Sequence, residues 1–206
     1  MHATEPLLRP TRISELRPTQ MTVGLREVER KRREWRDHAR EGGREYLGRH
    51  MIPVVIGPRQ RPWMIDNHHL VRALHDEGIE EVLVHVVADL SMVAGRLFRT
   101  FLDNRNWLHP YDAKGHRQPV SKIPKHIGGL LDDPYRSLAG ALRRAGGYAK
   151  DETPYSEFLW ADFLRRHVPG HDVEHGFERA CDKALKIARQ AKASYLPGWC
   201  GPAKTE

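Results

Sequence analysis

Residues 51–90 carry the pattern that most narrows the fold. MIPVVIG (51–57) is a β-branched apolar run that reads as a strand, PRQR (58–61) reads as a turn, and a second short strand follows at 62–65. That strand stops at Asp66-Asn67-His68-His69, and an amphipathic helix starts at once. Leu70, Val71, Ala73 and Leu74 form its apolar face, and Gly78 is the expected stop. EEVLVHVVADL (80–90) is again a strand. Hairpin, helix and strand in this order require an α/β unit whose helix covers a sheet face.

Upstream, prolines and a glycine punctuate residues 7–24, with one short strand expected around Arg12–Leu16. Residues 25–42 are densely charged. Leu25, Val28, Trp35 and Ala39 share one helical face there, and arginines fill the rest. Beyond residue 90 the character changes. Val93, Leu97, Phe98, Phe101 and Leu102 have helical spacing within 91–108, and 109–124 is a Pro/Gly/His-rich loop. Further helices are expected over 135–145, 155–167 and 176–194. The expected class is α/β (α+β), with an α/β module over 1–90 and a helical C-terminal lobe over 91–206. Neither an internal repeat nor a low-complexity tract interrupts it.

The formal net charge of +7 favours anionic partners: a nucleotide or other anionic small molecule, or DNA bound non-specifically. Cys181 and Cys200 are too few for a disulfide framework. The first twenty residues contain no continuous apolar segment, and no run approaches a membrane span. The expectation is a cytoplasmic chain with no membrane partner.

At the 66–69 junction two readings compete. Asp66 or Asn67 caps the helix and the histidines are surface residues. Alternatively, the helix N-terminus, with its orphan N–H groups and positive dipole end, receives a phosphate. His68 and His69 would then donate to phosphate oxygens or move a proton. A glycine-rich cradle is missing, so the stretch is neither a P-loop nor a dinucleotide fingerprint.

Strand–DNHHL–helix after a hairpin resembles the ParB/sulfiredoxin superfamily, and most closely its ParB-like nuclease branch. LRPTQMTVG (16–24), DDPYRSL (132–138), EFLWADFLR (157–165) and LPGW (196–199) resemble the same branch, in order, so the likeness runs over roughly 8 to 200. Free serine kinases of that superfamily carry Asp-Gly-His-His-Arg at the equivalent junction. Asp66, His68 and His69 match it, while Asn67 replaces the glycine and Leu70 the arginine. The arginine is a phosphate clamp in type, and the glycine permits close backbone approach.

The resemblance implies a ParB/sulfiredoxin-like module with a hairpin–helix–strand core and a helical C-terminal lobe. It also implies a nucleoside triphosphate (ATP or CTP) with Mg2+ at the junction. The superfamily includes DNA-partitioning CTP-binding clamps, an ATP-dependent sulfinic-acid reductase and serine kinases. The leading expectation is a phosphotransferase or nucleotide hydrolase with Asp66, His68 and His69 catalytic. Asp66 orients a histidine or magnesium, and Asn67, Gln20, Lys31 and Arg136 contact the nucleotide or its phosphates. The alternatives are a DNA-binding ParB-like protein or nuclease using the arginines of 26–40 and the final helix, and a non-catalytic interaction module.

Other chemistry is thin. Glu27 and Glu29 are carboxylates near the expected nucleotide edge, and either fits a solvated helix face as well. Asp132 and Asp133 before Pro134 suit a helix start. His171 and His175 have the i,i+4 spacing of a helical metal pair, but the rest of a zinc-hydrolase signature is absent and no metal is expected there.

Overall fold

The structure is a computed structural model and describes residues 8–202. It contains, in chain order, β1 (Leu8–Arg12), β2 (Arg17–Pro18), β3 (Thr22–Val23), α1 (Leu25–Arg49), β4 (Ile52–Gly57), β5 (Arg61–Met64), α2 (His68–Asp76), β6 (Glu81–Asp89), α3 (Gly95–Asn104), β7 (Leu131–Asp132), α4 (Pro134–Arg144), α5 (Ser156–His167), α6 (Gly170–His175) and α7 (Phe177–Ala188). Two compact units emerge. The first runs to Val23 and takes in Glu27–Asp112 and His116–Leu131; the second holds Gly24–Arg26, Ala113–Gly115 and the chain from Asp132 onward.

The first unit is built on a five-stranded sheet in the order β1-β6-β4-β5-β2. β4 and β5 form the expected antiparallel hairpin, closed by Gly57 opposite Arg61. β6 returns parallel to β4 after α2, and β2 lies parallel to β5 at the sheet edge. Successive β4 side chains point to opposite faces. Val54 joins Leu70, Val71, Ala73 and Leu74 of α2 and Val28 and Trp35 of α1 in one core. Val55 packs into another with Met21, Phe98, Leu102, Leu108 and Ile123. This second layer explains why the first unit extends to Leu131, past the boundary expected at residue 90. Phe98 and Leu102 of α3 would have no core without the far face of the sheet.

Three local expectations are corrected. Instead of a strand over 12–16, Ile13–Glu15 form a single 3-10 turn, which places buried Ile13 and Leu16 three residues apart on one side. α1 buries Val28 and Trp35, but Leu25 is 39% exposed and Ala39 lies on the surface. The helix also continues past Gly43 to Arg49. Gly43 suits the Trp35 indole, since a Cβ there would lie 2.7 Å from the ring. Finally, α7 ends at Ala188, and α6 is an additional short helix that carries HDVEH.

The charge on α1 is largely neutralised by its own unit. Arg30 pairs with Glu27 and Glu34, Lys31 with Glu34 at 2.9 Å, and Arg32 with Glu29 at 2.9 Å. Arg36 and Arg32 converge on Glu77 at 2.7 and 2.6 Å. Hydrogen bonding from Arg36, then from Arg32, holds the Glu77 carboxyl down to about 2. A depressed carboxyl contributes stability that is complete above the unfolded value of 4.5 and is lost as pH falls toward 2. Glu77→Gln should therefore flatten the pH dependence of the melting temperature between about 4.5 and 2, relative to wild type.

The second unit packs α4, α5, α6 and α7 around Leu138, Leu142, Trp160, Phe163, Leu164 and Ala184. Asp133 starts α4 as expected: its Oδ1 accepts the Tyr135 N–H at 3.0 Å, and Pro134 takes the first helical position. Arg165 donates to its other oxygen at 2.6 Å. Among the described residues no helix is long and apolar enough to cross a membrane.

Candidate functional site

The β5–α2 junction is where the sheet core meets polar chemistry. β5 ends at Met64, fully buried, and the chain emerges at Asp66, which is exposed. Asn67 then adopts a left-handed conformation, φ 64° and ψ 25°, before α2 begins. Left-handed backbone favours glycine, with asparagine next best among the other residues. The Asn67-for-glycine departure therefore keeps the conformation the turn needs.

The capping expectation is corrected in detail. Asn67 is the N-cap residue, but its side chain makes no cap bond; its Nδ2 donates instead to the Met51 carbonyl at 3.2 Å. Asp66 Oδ1 accepts the Asn67 N–H at 2.6 Å, which closes the turn one residue before the helix. The first ladder bond of α2 runs from Val71 N–H to the Asn67 carbonyl. The earlier amides of the first turn face the end of the helix, where the positive pole of the dipole lies.

The two histidines part company. His68 is buried, and its Nε2 accepts the backbone N–H of Thr19 at 3.2 Å. An amide can only donate, so Nε2 carries a lone pair, and the neutral ring holds its proton on Nδ1. Thr19 Oγ1 donates to the Met64 carbonyl at 2.8 Å. Together these bonds tie the Thr19 segment, through His68, to the end of β5 and the start of α2. His69 is half-buried in the first turn. Leu70, at the position of the serine-kinase arginine, is 3% exposed and belongs to the core that α2 covers, so it supplies no clamp.

The other sequence candidates are dispersed. Gln20 is buried beside Thr19 and donates from Nε2 to the Thr22 carbonyl at 2.8 Å. Lys31 lies on α1, engaged with Glu34. Glu27 is buried and Glu29 is partly exposed, each beside an α1 arginine. Arg136 is a residue of the second unit, 4% exposed, 3.9 Å from Glu157 and stacked 3.5 Å from the Phe158 ring. The carboxylate beside it in its own unit is that of Glu157. His171 and His175 are exposed, each near a neighbouring carboxylate. Among the described residues no group of three or more His, Cys, Asp or Glu side chains could hold a metal.

Sequence reasoning missed the Thr19 amide as the partner of His68. The only local sign was a run of polar residues, Thr19, Gln20 and Thr22, which turn out to be buried.

The fold is shared with known proteins. The family model described as "Putative ParB-like nuclease" matches residues 9–166. The crystal structure of protein Atu1540 from Agrobacterium tumefaciens is similar at 50% sequence identity, over 96% of this chain and 99% of that chain, with a TM-score of 0.90. No curated protein matches. With the expected ParB-like fold in place and most of its length matched, this chain belongs to the ParB-like nuclease family.

Proposed function

We propose that the chain binds the phosphate end of a nucleoside triphosphate, ATP or CTP, at the β5–α2 junction and transfers or hydrolyses the terminal phosphoryl group. The observation that carries this reading is the turn at Asn67. It sets an exposed carboxylate, Asp66, and a half-buried imidazole, His69, on either side of a helix start whose cap side chain is directed elsewhere. An acceptor hydroxyl or water oxygen attacks the γ-phosphorus, and the bond from that phosphorus to the bridging oxygen breaks. The nucleoside diphosphate leaves with the electron pair, and the acceptor proton passes to His69. Helix amides and the dipole stabilise charge on the phosphate oxygens. His68, locked to Thr19, keeps the turn in register and does not itself exchange the proton.

The exposed Asp66 carboxylate fits as the one protein ligand of a magnesium ion carried in by the nucleotide. Bound there, it would supply neutralisation of phosphate charge. Replacing His69 alone by Ala should abolish nucleotide-induced stabilisation in a thermal-shift panel of ATP, CTP, GTP and duplex DNA while the unliganded melting temperature holds. Equal stabilisation of variant and wild type would refute the reading. His68 is kept in this test because its removal would strand the buried Thr19 amide.

Phosphodiester hydrolysis on nucleic acid is the second reading. It is favoured by Arg96 and Arg99 of α3, exposed beside Leu97 and without an ion pair among the described residues. It uses the same attack at phosphorus. DNA binding through such scattered cations is sequence-independent and steeply salt-dependent.

A further inference from the structure

We propose that the β2–β5 edge of the first unit carries a second oxyanion site, formed by Arg17 and Arg61, that takes a phosphate group. This site stands apart from the junction. Arg61 opens β5 and the junction follows its other end, about 10 Å of strand away.

Register places the two cations on one sheet face. Arg17 pairs with Trp63 across the parallel β2–β5 ladder, and Arg61 lies two residues before Trp63, so all three project from the same sheet face. β2 is the last strand of the sheet, leaving its outer side without a strand partner. Arg17 Nη1 donates to the Lys125 carbonyl at 2.5 Å, which fixes the guanidinium plane and brings the Lys125 backbone to the cluster. Arg17 Nε is sealed from solvent and has no hydrogen-bond partner.

The charge balance is unlike that around Arg30, Arg32 and Arg36 of α1. The α1 arginines 30, 32 and 36 each meet a carboxylate. Arg17 and Arg61 meet none among the described residues. Burial, and then the positive charge of Arg61, lower the proton affinity of Arg17. Two guanidinium groups within each other's field and without a carboxylate repel until an anion joins them. A phosphate supplies several acceptor oxygens and matches the planar donor fork. The hairpin tip adds to the field. Arg59 and Gln60 both have positive φ, 63° and 56°, an uncommon state for consecutive non-glycine residues, and Arg59 is exposed there.

The test uses the full chain with His69→Ala as the parent, so that failure at the junction and failure here are read separately. Inorganic phosphate is titrated against chloride at constant ionic strength. The parent should show a saturable rise in melting temperature, and the Arg17 Nε–H resonance should move with the same midpoint. Arg61→Gln should lose most of the rise. Arg61→Glu, at an exposed position, supplies the missing negative charge; it should raise the melting temperature without phosphate and abolish the response. An unchanged phosphate response in Arg61→Glu, or a stationary Arg17 Nε–H signal, overturns the site. Titration of the same proteins with ATP and with a short DNA duplex then identifies the source of the phosphate. A loss of affinity of about tenfold on Arg61→Gln marks the natural ligand class. Equal affinity for both ligands in parent and variant overturns the assignment.

Discussion

Asp66→Asn should leave the melting temperature unchanged and lower phosphoryl turnover by about 10²- to 10⁴-fold. Asparagine keeps the size of the side chain, and its Oδ1 still accepts the Asn67 N–H that Asp66 Oδ1 takes at 2.6 Å. The turn therefore survives the substitution. Only the negative charge is lost, and in the proposed reaction that charge holds magnesium or balances an imidazolium. Nucleotide consumption, with free amino acids offered as acceptors, is measured beside a melting curve. Full turnover in Asp66→Asn would reduce the aspartate to the group that closes the Asn67 turn.

The two departures from the serine-kinase motif should behave oppositely. Asn67→Gly should be nearly neutral, because the position already has φ 64° and glycine reaches that region without strain. Leu70→Arg, which introduces the serine-kinase arginine, should destabilise the protein on the order of 4 kcal/mol and collapse the first unit's cooperative transition. Leu70 is 3% exposed among Val71, Leu74 and Val54, and an arginine there would bury a charge in a packed core. Chemical denaturation of both variants checks the pair. A stable, well-folded Leu70→Arg protein would mean that α2 can rotate or shift to release the side chain, and the assignment of residue 70 to the core would fall.

The hairpin, α2 and β6 were legible because their apolar periodicity is strong and local: Leu70, Val71, Ala73 and Leu74 are all buried as their spacing predicted. The start of α4 was legible for the same reason, since Asp133 and Pro134 act within one turn. α1 was read half correctly. Val28 and Trp35 are buried, but Leu25 and Ala39 are not, and no pattern within the helix says where the sheet ends beneath it.

At the site, the chain order of Asp66, Asn67, His68 and His69 announced polar chemistry at a strand–helix junction, and the resemblance to the ParB/sulfiredoxin superfamily named the fold. Sequence by itself determined those elements, because helix and strand periods, turn residues and caps act between near neighbours. Tertiary structure alone decided what each side chain does. His68 and His69 are adjacent and chemically identical, yet one accepts a hydrogen bond from an amide 49 residues away and the other lies half-buried in the first turn. Arg17 and Arg61 look like ordinary surface cations until the parallel β2–β5 register sets them on one sheet face of neighbouring strands. Contacts between distant segments depend on how strands pair and which faces they cover, and those relations are written in no local stretch of the chain.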